Sequence, residues 1–182
     1  MAYLLAYGGG VAKLASSLGL SKSEAQRAYD NYFIENEGLG KLKDNIEKYY
    51  NTVGKKKYIP AWDGRMLSAR GKNILINLAG QSCGAIAMSY AACFMDAWLG
   101  EMYLDDLGRP YYLYKGKKVK RVSMVHDEYS FECEDGVEDE VTALTVKAIV
   151  KAGEYMKLPL ELDGEGKKSN IVTGKQIGRA HV

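Results

Sequence analysis

Val122-Ser123-Met124-Val125-His126-Asp127-Glu128-Tyr129-Ser130-Phe131-Glu132-Cys133 is the stretch whose reading decides the fold. Residues 122–125 and 129–133 are two short runs in which apolar side chains mostly alternate with polar ones. That pattern predicts two β-strands joined by a tight turn, with the carboxylates of Asp127 and Glu128 at its tip. Two adjacent carboxylates repel, and a divalent cation placed between them relieves the repulsion. A turn that holds Mg²⁺ on a sheet points to phosphoryl chemistry. Asp and Glu are also ordinary turn residues, so a plain solvated hairpin is the competing reading.

Working outward, the flanking segments read as helices before the sheet and one helix after it. Tyr7-Gly8-Gly9-Gly10 would stop a helix or let the backbone approach something closely. Ser21-Lys22-Ser23-Glu24 has the spacing of a capping box, followed by Ala25, Ala28, Tyr29, Tyr32 and Phe33 at helical intervals. A second amphipathic helix is expected over about residues 39–50, and the longest over about 73–99. Inside the latter, Asn77 and Gln81 are four residues apart, so their amides share one face. Such a pair can reach minor-groove acceptors, which differ little between base pairs, or can simply be solvated. Gly80 and Gly84 cost helix stability, and predict close packing against that face. Asp63-Gly64-Arg65 marks a turn. Strands are expected over 111–114 and 119–125, a last helix over about 137–157 and a closing strand at 159–162. The order is that of an α+β fold.

Composition narrows the classes. The chain has 182 residues and a formal net charge of +2, so no global polyanion signal exists. Charge is nevertheless clustered. Nine basic residues (41, 43, 48, 55, 56, 57, 65, 70, 72) face three acids in residues 41–72, and residues 115–121 hold five basic residues and no acid. Residues 126–140 hold eight acids and no Lys or Arg. Two basic stretches around an acidic turn could hold a phosphate backbone near a cation, although each alone also reads as a solvated face. The 14 tyrosines suit stacking on bases as well as half-buried strands. Cys83, Cys93 and Cys133 are odd in number, lack metal spacing and read as reduced thiols, which fits an intracellular protein. No stretch reads as a membrane span of ~20 apolar residues, and no signal peptide is recognised.

Taken together the segments resemble the carboxy-terminal part of a family A DNA polymerase, the polymerase I type that many bacteriophages carry. Four motifs carry the resemblance in order: Tyr3-x-x-x-Tyr7-Gly8, Asp63-Gly64-Arg65, Asn77-x-x-x-Gln81 and Val125-His126-Asp127-Glu128. It covers about residues 1–166 and implies part of a polymerase right hand. Residues 1–60 would be a fingers remnant with the helices that follow it, and 61–166 the palm with its catalytic hairpin. Asp127 would be a ligand of a two-metal Mg²⁺ site, with Glu128 a nearby catalytic carboxylate. His126 would contact the primer terminus. Tyr3, Tyr7 and Gly8 would bind the incoming dNTP and templating base. Asn77, Gln81 and Arg65 would contact primer–template DNA. The resemblance also implies what is missing: a fingers Lys and Arg and a second palm Asp would all precede Met1. The two-metal site would be incomplete, and the chain inactive alone. A processivity factor remains unspecified, and the expected location is the cytoplasm of a bacterium or of a phage-infected cell. Residues 167–182 depart from the family, and Ile177-Gly178-Arg179-Ala180-His181-Val182 matches one frame of a common sequencing adapter, so this tail is set aside as an artefact. Alternatives are a single-subunit RNA polymerase fragment, which would have Ser where Glu128 stands, a non-catalytic duplex-binding module using residues 55–57 and 115–121, and a metal-free α+β domain.

Overall fold

The computed structural model describes residues 4–5 and 9–168. The chain divides into two compact units, Met1–Cys83 and Gly84–Val182. Tyr3, Tyr7, Gly8 and the tail from Ser169 onward lie outside the described residues.

In the first unit α1 (Val11–Leu18) is a helix that the sequence pattern does not announce. Its signals are weak because Gly10 provides no side-chain cap, and only Gly19, left-handed at φ 64°, marks its end. α2 (Lys22–Glu35) begins as expected. The Glu24 amide donates to the Ser21 hydroxyl and the Ser21 amide to the Glu24 carboxylate, a complete capping box. α3 (Glu37–Asn51) follows directly. A small antiparallel hairpin pairs β1 (Tyr58–Pro60) with β2 (Met66–Ser68). Burial of Leu5, Leu14 and Ala25 joins α1 to α2, while Tyr50, Ile59, Ala69 and Leu75 form a second core patch beneath the hairpin.

α4 (Leu75–Leu99) is entered through a 3₁₀ turn, Lys72–Ile74, and runs through the boundary between the units. By length and composition it could cross a membrane, contrary to the expectation that no stretch reads as a span. Its apolar residues have a use inside the protein, however: Met88, Ala91, Met95 and Leu99 are buried in the core of the second unit.

That second unit is a four-stranded antiparallel sheet, in spatial order β3 (Met102–Leu104), β4 (Pro110–Tyr114), β5 (Lys117–Val125), β6 (Glu128–Cys133). Tyr112, Val119 and Tyr129 from the sheet pack into one core with α4 and α5 (Glu138–Tyr155). Three acids, Glu138, Asp139 and Glu140, occupy the first turn of α5, where they favour the helix dipole. The expected closing strand is absent: residues 159–162 are irregular and pair with no strand. Leu162 instead packs beside Gly153 of α5, so the segment's apolar side chain meets a helix rather than a sheet edge.

Candidate active site

Two tight turns shape the sheet end that carries the acidic motif. β4 and β5 are joined by Lys115 and Gly116, both left-handed (φ 50° and 76°), the pattern of a type I′ hairpin. β5 and β6 are joined by His126 and Asp127, flanked by the Val125–Glu128 pair. Here His126 alone is left-handed (φ 55°), as in a type II′ turn. The tip therefore differs slightly from the expectation. Asp127 and His126 are exposed in the turn, while Glu128 is the first residue of β6, half-buried and already engaged within the protein.

The hairpin is fastened to α4 below its tip. Tyr129, two residues past Asp127, is fully buried, and its hydroxyl donates to the Met88 carbonyl. Burial pushes its hydroxyl pKa up to about 12. On the other strand, the Arg121 guanidinium donates from Nη1 and Nη2 to the two oxygens of Asp96 on α4, at 2.8 and 3.3 Å. The Tyr112 hydroxyl donates to the same carboxylate at 2.6 Å. Burial, reinforced by that bond, lifts the Tyr112 pKa to about 12. A bulge comes next: pairing passes from Arg121 to Ser123 and leaves Val122 unpaired. Bulges bend a strand and re-aim the side chains beyond them. Asp96, Tyr112, Arg121 and Tyr129 are site-supporting residues that the sequence reading misses. Only the break in alternation at Met124-Val125 hints at the bulge, and no local pattern pairs Asp96 with Arg121.

Asn77 and Gln81 stand on one face of α4 in the first unit, Asn77 half-buried and Gln81 exposed. Gly80 and Gly84 share that face by spacing. Against expectation nothing packs there: a Cβ at either glycine would meet no atom within 4 Å among the described residues. The helix offers a face with room for something to approach. Arg65 follows the left-handed Gly64 (φ 85°) and donates from Nε to Asp63 at 2.6 Å, so the Asp-Gly-Arg turn holds its own guanidinium. A cleft of about 210 Å³ in the same unit is walled by Leu5, Gly9 and Gly10, residues that flank Tyr7 and Gly8, and by Tyr29, Phe33, Lys43 and Lys72. Glu47 bridges Lys43 and Lys72 across it.

The turn fits a hard cation in donor type, since carboxylate oxygens are what Mg²⁺ takes. It does not fit in number: among the described residues no cluster of three or more candidate ligands forms. The basic stretch at 115–121 is largely committed inside the sheet, with Lys115 on Glu140, Lys120 on Asp105, Arg121 on Asp96 and Lys118 over the Tyr111 ring.

Residues 1–170 match the model of DNA polymerase family A, and the chain belongs to that family. It is 28% identical over 154 residues to a DNA polymerase I of Aquifex aeolicus (strain VF5), covering 84% of this chain and 24% of that protein. It is 27% identical over 170 residues to a DNA-directed DNA polymerase of Escherichia phage Phieco32, covering 88% of this chain and 25% of that protein. The chain thus spans about a quarter of the length of these relatives. The fold is similar to the POL domain of Pol1 from M. smegmatis, solved in complex with DNA primer-template and dNTP (TM-score 0.64, 22% identity, 84% of this chain and 26% of that one).

Proposed function

We propose that this chain works as a segment of a longer DNA-directed DNA polymerase and takes part in template-directed nucleotidyl transfer from a dNTP to a primer 3′-hydroxyl. The observation that carries the reading is the β5–β6 hairpin, which presents Asp127 in an exposed two-residue turn while Tyr129 and Arg121 fasten both strands to α4. Asp127 supplies one hard oxygen ligand for Mg²⁺, and Glu128 stands beside it. His126 contacts the primer end. The open face of Asn77, Gly80, Gln81 and Gly84 accommodates the minor groove, where amides can pair with acceptors common to all base pairs. Arg65, with Asp63 setting its direction, faces the DNA backbone. Tyr3, Tyr7 and Gly8 serve the incoming nucleotide and templating base. The chain's own share of the reaction is positioning and electrostatics. This reading places the protein in the cytoplasm of a bacterium or of a phage-infected cell, and leaves any processivity factor unspecified.

The test is Asp127→Asn in the polymerase chain that carries this segment. Primer extension is expected to fall by about a thousandfold or more, with primer–template affinity kept. Extension at the parental rate would remove Asp127 from the reaction and with it this reading.

A further inference from the structure

After α3 the chain makes a closed turn through Gly54, Lys55, Lys56 and Lys57 before entering β1. Its backbone is hydrogen-bonded throughout. The Lys55 amide donates to Thr52, Lys56 to Tyr50, Lys57 to Gly54, and the Lys57 carbonyl accepts from Ala69. Gly54 is pressed against the chain: a Cβ there would lie 2.1 Å from the Tyr58 carbonyl oxygen. The turn is therefore held in place before any ligand arrives.

Lys55 and Lys56 are both left-handed, at φ 49° and 56°. Glycine occupies that region without the clash a Cβ brings, and two successive non-glycine residues there run against local preference. Backbone held in such a region is a legitimate starting point for a functional hypothesis. All three lysines are exposed, and none has an acidic partner among the described residues. Tyr58, the next residue, is also exposed and begins a paired strand, so an aromatic face stands beside the cations.

We propose that residues 55–57 are a preformed site for the phosphodiester backbone of a nucleic-acid strand, with Tyr58 as an adjacent stacking face. The inference rests on the polymerase reading for the identity of the polyanion, and extends it to a turn that none of the four motifs includes. Cations fixed side by side next to an aromatic ring suit a single strand, whose bases are available to stack.

The experiment is fluorescence anisotropy of a labelled thymidine oligonucleotide with the full chain across a salt series, comparing the parent with Lys55→Gly/Lys56→Gly. Glycine removes the charges while easing the backbone. The variant is expected to bind about tenfold more weakly at low salt, with a salt slope smaller by about 1.4, or ~0.7 for each cation lost. Its melting temperature should be unchanged or higher. A charge-matched control, Lys13→Ala/Lys22→Ala, is expected to bind like the parent. Equal loss in that control would reduce the effect to net charge and overturn the site. Parental affinity in the glycine variant would overturn the site and leave the polymerase reading intact. Failure of the parent chain to bind the oligonucleotide would sink both. Equally tight displacement by a polyglutamate peptide would make the turn an acidic-peptide site and overturn the nucleic-acid assignment.

Discussion

Residues 115–121 and residues 55–57 are both lysine-rich turns next to short strands, yet their charges meet opposite fates. In the first, Lys115, Lys120 and Arg121 each reach an acid of the same unit, and Lys118 lies 4.1 Å from the centre of the Tyr111 ring. In the second, no acid answers any of the three lysines among the described residues, although the backbone beneath them is fully hydrogen-bonded. The type of residue is the same. What differs is the long-range neighbour: Asp96 and Glu140 come from helices 25 and 25 positions away in sequence from Arg121 and Lys115. A cation answered within the fold fixes the fold, and one left unanswered on a rigid turn is available to a ligand.

The comparison breaks first if the turn at 55–57 is not rigid. Gly54→Ala tests that, because its Cβ would have to displace the Tyr58 carbonyl. Urea unfolding is expected to show a loss of about 2–3 kcal/mol, the usual penalty for overpacking. A neutral Gly54→Ala would mean the lysines sit on a loop that yields freely. The opposite arm is Arg121→Ala, which strips both hydrogen bonds from Asp96 and leaves Tyr112 as its remaining partner. Asp96 and Arg121 are partly exposed (38% and 28%), which keeps the expected cost to about 2 kcal/mol in the same assay, below that of a fully buried pair. If Arg121→Ala were silent, residues 115–121 would be as available to DNA as residues 55–57, and the distinction would vanish.

Much of the fold is legible in the sequence, and the reason differs by element. The capping box at Ser21 and Glu24 and the long apolar period of α4 are local signals, and both elements form where expected. The same is true of the hairpin at His126 and Asp127, since strand alternation and turn residues are read within a few positions. α1 escapes because its start has no capping side chain, and residues 159–162 imitate a strand because apolar alternation there serves packing on α5. Gly80 and Gly84 predict crowding and are open, since a helical glycine records that a side chain is absent without saying what stands opposite. The fastening of the acidic hairpin by Asp96, Arg121 and Tyr129 leaves no local trace. Those contacts join residues far apart in sequence, and only the fold brings them together.

The smallest expected effect concerns pH and separates the two turns by a different route. Asp105, in the β3–β4 connection, receives the amides of Arg109 and Leu107 at 2.9 and 3.0 Å, the Arg109 side chain at 2.9 Å and Lys120 at 3.5 Å. The Arg109 amide is the chief cause of a carboxyl held well below its ordinary range. A carboxyl depressed on folding stabilises the folded state fully above its unfolded value of about 3.9, and loses that contribution as pH falls through the lower folded value. Asp105→Asn should therefore be less stable than the parent at neutral pH, with the gap in urea midpoint narrowing as the pH is taken below about 4. The turn at 55–57 contains no carboxylate, so the gap between the parent and Lys55→Gly/Lys56→Gly should stay constant over that acid range. A gap that narrowed for the lysine pair as well would reveal an acid partner for those lysines, and would place both turns in the same structural role.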